Sequence, residues 1–109
     1  MNIKKEKIVS ESIRFSVIDN GKIIGQADLC LFKNEFHVQL FGLLESVFIN
    51  ENFRRQGIGT ELITEIIKEA KKQNCYKLIA TSRYSRPKVH KLYLKLGFKD
   101  WGKEFRIDF

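Results

Sequence analysis

The segment Phe53–Thr60 has the residue types of an anion-binding turn. Two arginines, Arg54 and Arg55, are followed closely by two glycines, Gly57 and Gly59. An amphipathic helical pattern follows, formed by Ile58, Leu62, Ile63, Ile66, Ile67 and Ala70. The first N–H groups of a helix lack intrahelical partners and carry partial positive charge, and glycine lets a ligand approach the main chain closely. The turn is therefore predicted to bind an anion.

The stretches on either side of this turn are predicted to position it. Leu43–Ile49 is apolar enough to be a central strand, and the helix is predicted from about Gly57 to Gln73. Tyr76–Thr81 has the pattern of a short buried strand. Because a helix connects the two strands, they are expected to run parallel in the same sheet.

A second helix is predicted to open at Ser85-Arg86-Pro87 and to end before Gly97. Its buried stripe consists of residues at helical spacing: Val89, Leu92, Tyr93 and Leu96. Two last strands are predicted over Phe98–Trp101 and Phe105–Phe109, around a turn at Gly102.

The first part of the chain reads as antiparallel strands. Ile13–Val17 alternates apolar and polar residues, Asp19-Asn20-Gly21 is a strong turn signal, and Ile23–Phe32 is a second strand. Phe36–Phe41 is ambiguous between a strand edge and an ordered loop. The predicted order is β-β-β-α-β-α-β-β, an α/β fold on a mixed sheet, with residues 1–109 forming one domain.

Composition limits the function classes without choosing among them. The chain has 109 residues, 43% of them hydrophobic and 30% charged, and a formal net charge of +7. Such a charge favours an anionic partner of one of three kinds: a nucleic acid, a membrane surface or a polyphosphate cofactor. Cys30 and Cys75 lack metal-ligand or disulfide spacing, so no metal site is expected. No apolar run approaches membrane-span length, so we expect no membrane partner and a cytoplasmic location.

Two spaced motifs resemble those of the GNAT family of N-acetyltransferases. Arg54-Arg55-Gln56-Gly57-Ile58-Gly59 is similar to the family's acyl-CoA-binding signature, Q/R-x-x-G-x-G/A. The family also has a "V-x-P-x-Y/F-R-G-x-G-I-G" run, which Ile49–Gly59 resembles. Some forty residues on, Val89–Phe98 looks like the family's "a-x-x-L-Y-x-K-x-G-F" ending. The two motifs stand in the family's order and at the family's spacing.

The chain also departs from the family's pattern. Asn50-Glu51 stands where the family often has a residue followed by proline, and Arg55 where it often has glycine. The resemblance implies the compact GNAT fold, but the usual pair of N-terminal helices has no room before Ile13. The acceptor side is therefore expected to be open, or to be completed by another subunit or by Phe36–Phe41.

The resemblance implies acetyl-CoA as the cofactor and assigns residues to it. Backbone N–H groups of Gln56, Gly57, Ile58, Gly59 and Thr60 are expected to bind its pyrophosphate, and Arg54 and Arg55 to add charge-assisted contacts. The strand at Val47, Phe48 and Ile49 is expected to splay from the Leu78–Thr81 strand and to pair with the pantetheine arm. Ser85 and Lys88 are expected at the cofactor's edge, as part of a basic rim that also includes Arg83 and Arg86.

The resemblance further implies direct transfer of the acetyl group to a primary amine. Tyr93 matches the family tyrosine that protonates the departing thiolate; the alternative is a core aromatic residue. Glu45 matches an acid near the acceptor amine in some relatives, and it is either the general base or a salt-bridge partner. His37 is a second candidate base, or a solvated loop histidine.

The sequence is also compatible with other functions. The missing helices would also suit a non-catalytic module that only binds acyl-CoA. Nucleic acid is not favoured, because basic and aromatic residues are not interleaved in the manner of single-strand binders. The acceptor, a small molecule or a protein amine, is not identified. The apolar C-terminal strands make a homodimer possible.

Overall fold

The protein folds around a four-stranded mixed sheet. The computed structural model describes residues 1–109 and contains strands β1 (Glu11–Asp19), β2 (Lys22–Phe32), β3 (Phe41–Ile49) and β4 (Leu78–Ala80). The strand order is β1-β2-β3-β4; the first three strands are antiparallel, and β4 runs parallel to β3. Two helices, α1 (Ile58–Lys72) and α2 (Pro87–Lys95), follow β3 and β4, and a short 3-10 turn spans Glu51–Phe53. The predicted fold class and element order are confirmed as far as α2.

The core lies between one face of the sheet and helix α1. Its fully packed side chains come from β2, β3 and α1: Ala27, Leu29, Leu31, Leu44, Leu62, Ile63, Ile66 and Ala70. Leu92 and Tyr93 of α2, with Leu96 and Phe98 after it, pack against this cluster while only partly buried. Burial of these apolar residues is the main force that holds α1, and hence the turn before it, against the sheet.

Local signals set the ends of the elements. Asn20 and Gly21 both have positive φ, 48° and 73°, as a two-residue hairpin turn requires. Helix α1 has Glu61 in its first turn and lysines in its last, which matches the helix dipole. Asn74 follows the helix with φ 59°, and the Cys75 N–H donates to the Ala70 carbonyl, which closes the end.

The two predicted C-terminal strands are wrong. Residues 96–109 contain no strand, and the last backbone hydrogen bond is donated by the Phe98 N–H to the Tyr93 carbonyl, 3.0 Å away. Alternating apolar residues are needed for a strand but do not suffice, because a strand also needs a neighbour with which to form hydrogen bonds. Here the segment after Phe98 extends away from the sheet with its large side chains exposed.

The ambiguous stretch Phe36–Phe41 is mostly loop. Only Phe41 belongs to a strand, as the first residue of β3. Neither helix has the length and apolar character needed to span a lipid bilayer.

Candidate active site

The turn between β3 and α1 presents a row of unused backbone donors. Arg55 and Gly57 have positive φ values of 66° and 80°, with Gln56 between them in the ordinary region. The N–H groups from Arg55 to Thr60 donate to no acceptor in the chain, and the first bond of the helix is Glu61 N–H to the Gly57 carbonyl at 3.0 Å. Consecutive free N–H groups in such a turn, at the positive end of a helix, form a concave anion site.

Hydrogen bonds to the sheet hold this turn in place. The Asn50 N–H donates to the Ile24 carbonyl of β2 at 2.7 Å, and the Asn50 side chain accepts a hydrogen bond from the Asn52 N–H at 3.0 Å. The Arg54 Nε donates to the carbonyl of Ile49, the last residue of β3, at 3.0 Å. The Arg54 side chain is thus anchored while its other N–H groups remain available to a ligand.

A cleft of about 420 Å³ opens beside the turn. No carboxylate lines it, and its charged groups are all cationic: Arg54, Arg55 and Lys88. Its remaining walls come from the end of β3, the start of α1 and one side of α2: Ile49, Phe53, Gly57, Ile58, Gly59, Thr60, Val89 and Leu92. A cleft with free N–H donors and only positive charge favours a phosphate-bearing ligand over a cation.

Strand β3 has a free edge that leads from this cleft. Its parallel pairing with β4 covers only Gly42 to Leu44, opposite Leu78 to Ala80, so the rest of β3 has no partner on that side. On its other side, Asp28 of β2 pairs with Glu45 and Gln26 with Phe48, which leaves one extra residue in β3. The bulge includes Ser46, whose φ is 54°. Free strand edges bind extended ligands through the main chain, and bulges are frequent beside active sites.

The Glu45 carboxylate of β3 influences the Tyr93 hydroxyl of α2. Burial raises the pKa of the Tyr93 hydroxyl above its usual value, and the Glu45 carboxylate raises it further, while Arg86 opposes both effects. The Tyr93 ring packs against Phe98, with centroids 5.2 Å apart. Glu45 is exposed and forms no salt bridge. A phenol that stays protonated beside an unpaired carboxylate is a pair suited to proton transfer.

The chain matches the Acetyltransferase (GNAT) family over residues 3–98. It belongs to this family.

Known proteins similar to this chain agree with its assignment to the GNAT family. A glucosamine 6-phosphate N-acetyltransferase of Trypanosoma brucei brucei is 30% identical over 89 residues, which are 81% of this chain and 58% of that protein. The chain therefore spans less than two thirds of that relative. A solved Trypanosoma brucei acetyltransferase is 26% identical with a TM-score of 0.78, covering 90% of this chain and 69% of that one. AAC(6')-Iy, solved in complex with the bisubstrate analogue CoA-S-monomethyl-acetylneamine, shares the fold at 20% identity with a TM-score of 0.74, covering 89% and 68%.

The structure brings together most, but not all, of the residues predicted for the GNAT cofactor. Those that line the cleft are Ile49, Arg54, Arg55, Gly57, Ile58, Gly59, Thr60 and Lys88. Val47 and Phe48 lie instead along the free edge of β3, both exposed. Gln56 and Ser85 are exposed and do not line the cleft. The Gln56 backbone N–H nevertheless belongs to the free row of donors.

Sequence reasoning missed two features of the site. Phe53 lines the cleft, and the only sequence signal for this was the position of an aromatic residue just before the two arginines. The bulge at Ser46 had no signal, because neither glycine nor asparagine marks the residue with positive φ.

His37 lies away from the site. The loop that carries it precedes β3, whereas the turn follows β3, and the nine residues of this strand separate its ends by about 26 Å. The His37 ring stacks on Tyr76 with centroids 3.9 Å apart, and Asn34 Nδ2 donates to the Tyr76 hydroxyl at 2.9 Å. His37 is therefore a loop residue held by Tyr76 and not a base at the cleft, and Phe36–Phe41 does not line the cleft.

Proposed function

We propose that this chain is an N-acetyltransferase that moves an acetyl group from acetyl-CoA to a primary amine. The observation that carries the proposal is the row of unused N–H donors from Arg55 to Thr60 in a cleft without carboxylates. Free N–H groups at the start of a helix need a ligand or water as acceptor, and a pyrophosphate supplies several acceptor oxygens. Membership of the GNAT family supports acetyl-CoA as the source of that pyrophosphate.

The chain's own groups fit the rest of such a ligand. A Cβ built on Gly59 would meet no heavy atom within 4 Å, so the main chain there is open to close approach. Arg55 and Lys88 supply cationic groups to the phosphates. The unpaired edge of β3 beyond Leu44 offers N–H and carbonyl groups to an extended arm, in the way that one strand pairs with another.

Acetyl-CoA supplies a thioester, which is an acyl group already activated for attack by an amine. An ammonium acceptor must first lose a proton, and Glu45, exposed and without a salt-bridge partner, is the group we assign to accept it directly or through water. Tyr93 is protonated at neutral pH, as an ordinary phenol is, so its hydroxyl can donate to the departing sulfur; burial and Glu45 raise its pKa further.

The test combines binding with turnover. Purified protein is titrated calorimetrically with CoA, and thiol release from acetyl-CoA is then followed across a panel of amines. Glucosamine 6-phosphate is the first acceptor to try, because a relative of this chain bears the name of that substrate. Saturable binding with amine-dependent thiol release supports the proposal. No binding at millimolar CoA would contradict it, and binding without release for any amine class would favour a non-catalytic acyl-CoA-binding module.

A charge reversal with a matched control sharpens the binding arm. Lys88 and Lys91 lie on the same helix, but only Lys88 lines the cleft. Loss of one charge-assisted contact to phosphate corresponds to roughly a tenfold or greater loss of affinity, so Lys88→Glu is expected to weaken CoA binding by at least that factor. Lys91→Glu makes the same change of net charge and should alter binding little. Equal effects of the two would mean that only overall charge matters.

A further inference from the structure

Arg86 is a cationic residue at the start of α2 that does not belong to the cleft. It is the N-cap residue of α2, whereas the cations that line the cleft are Arg54, Arg55 and Lys88. Its side chain is exposed and forms neither a capping hydrogen bond nor a salt bridge. An unpaired guanidinium has its full set of N–H donors available to an anionic group.

The position of Arg86 on α2 brings it close to Tyr93. Arg86, Val89 and Tyr93 stand at i, i+3 and i+7, a spacing that places residues on one face of a helix. Burial and the Glu45 carboxylate raise the pKa of Tyr93, and the charge of Arg86 lowers it. Arg86 therefore lies near the hydroxyl that we assign as proton donor, and not only near the turn that binds phosphate.

Hydrogen bonds fix the backbone on both sides of Arg86. The Arg83 carbonyl accepts from the Arg86 N–H, at 3.1 Å, and from Nε2 of the His90 ring, at 2.8 Å. The Arg86 carbonyl in turn accepts from the N–H groups of Val89 and His90, at 3.1 and 3.2 Å. A charge on a fixed backbone is preorganised, which lowers the cost of ordering it when a ligand binds.

Glu45 supplies the opposite charge beside the same hydroxyl. Asp28 pairs with Glu45 across the two strands, but Arg14 already binds Asp28 through hydrogen bonds of 2.8 and 3.1 Å. Glu45 is exposed, and it forms no ion pair with Arg86 or any other cation. Two opposite charges that both influence Tyr93, yet do not pair with each other, are complementary to a ligand that carries both signs.

We propose that the acceptor is a zwitterionic amine, whose ammonium group is bound by Glu45 and whose anionic group, a phosphate or a carboxylate, is bound by Arg86. The guanidinium fork binds either anion through two parallel hydrogen bonds, so both sources share one chemistry. This inference rests on the proposed N-acetyltransferase activity and adds the class of acceptor to it.

The transfer balances with these groups. The ammonium gives one proton to Glu45, which passes it to solvent, and the amine that results attacks the thioester carbonyl. The new C–N bond forms as the C–S bond breaks, and the sulfur takes the proton of the Tyr93 hydroxyl. The attacking nitrogen then loses its second proton, which restores Tyr93. Arg86 takes no part in these proton transfers and determines only which amine is held in place.

Matched pairs of acceptors test the class of substrate. Thiol release from acetyl-CoA is compared between each zwitterionic amine and its analogue without the anionic group, such as glucosamine 6-phosphate against glucosamine and an amino acid against its amide. We expect kcat/KM to be about tenfold or more higher for the zwitterion, the factor for one hydrogen bond between charged groups. The pair that shows the preference distinguishes phosphate from carboxylate. Equal values within every pair that turns over would overturn the inference and leave the proposed activity intact, whereas no thiol release with any amine would contradict both.

A substitution at Arg86 tests the residue. Arg86→Gln should raise KM for the zwitterion by about tenfold or more and leave KM for the neutral analogue and the dissociation constant for CoA nearly unchanged. Arg86→Lys, which keeps the charge, should restore part of the preference. Lys91→Gln removes the same charge from α2 away from the Arg86 face and is the control. An unchanged KM in Arg86→Gln, an equal rise in Lys91→Gln, or weaker CoA binding with the preference intact would refute the role of Arg86.

Discussion

Replacing Gly59 by alanine should raise the stability of the fold while weakening the binding of CoA. Gly59 is the second residue of α1, its φ is not positive, and a Cβ there would meet no heavy atom within 4 Å. Alanine stabilises a helix over glycine by about 0.5–1 kcal/mol, because glycine loses more backbone entropy on folding. For a domain of this size that corresponds to a rise in Tm of about 2–6 °C.

The same methyl group should impair the site. Gly59 lines the cleft and its N–H is one of the free donors, so a side chain there occupies the space through which a phosphate reaches the main chain. We expect the CoA dissociation constant to rise by about tenfold or more, since one lost hydrogen bond to a charged group already accounts for that factor.

Gly57→Ala is the matched control, because it adds the same methyl group two residues earlier. A Cβ at Gly57 also meets nothing within 4 Å, but its φ is 80°. A residue with a Cβ costs about 1–2 kcal/mol in the left-handed region, so this variant should be less stable than the unmodified chain. Thermal unfolding and CoA titration of both variants check the reasoning. Unchanged CoA affinity in Gly59→Ala, or stability shifts of the same sign in the two variants, would refute it.

Three further predictions concern the titratable groups. Tyr93→Phe should lower kcat by about 100–10,000-fold, the range for loss of a positioned general acid, while the dissociation constant for CoA stays nearly unchanged. The pKa of Tyr93 is higher in the folded state than in the unfolded chain, so its contribution to stability is complete below the unfolded-state pKa and is lost as pH rises through the folded-state pKa. Tyr93→Phe should therefore remove part of the stability loss measured in alkali. Glu45→Gln should lower the pKa of Tyr93 in a spectroscopic titration, since the carboxylate raises it, and an unchanged pKa would contradict their proximity. Asp28→Asn should destabilise the fold at neutral pH but hardly in strong acid. The hydrogen bonds from Arg14, at 2.8 and 3.1 Å, lower the pKa of Asp28. The contribution of Asp28 to stability is therefore present above its ordinary pKa and is lost as pH falls through the lowered pKa.

The turn and the helix that follows it were predictable because their signals are local. The spacing of Ile58, Leu62, Ile63 and Ile66 defines the buried face of α1, and the glycines define where the chain can turn. Arg55 stands where the family often has glycine, and its N–H is free. Its φ of 66° gives the physical reason for the glycine that the family often has at this position.

Features that depend on distant pairing were not predictable in the same way. The bulge at Ser46 follows from the register between β2 and β3, and no residue type in β3 indicates it. His37 was a candidate base by its residue type alone, but only the strand order shows that its loop lies at the opposite end of β3 from the turn.

The two predicted C-terminal strands also depended on a distant partner, which the sequence does not identify. The alternation of Phe105, Ile107 and Phe109 indicates which face of a strand would be buried, but it does not indicate which element that face would pack against. In the structure these residues are exposed and form no strand, so the alternation alone did not determine their conformation.

The central claim, that the free N–H groups from Arg55 to Thr60 hold the phosphates of CoA, is tested most directly by following backbone amide resonances during a titration with CoA. The largest shifts are expected for Arg55 to Thr60, followed by residues on the free edge of β3 from Glu45 to Ile49. The amides of the loop around Asn34 and His37, at the opposite end of β3, should not move. Saturable binding that leaves the Arg55–Thr60 amides unshifted would contradict the account.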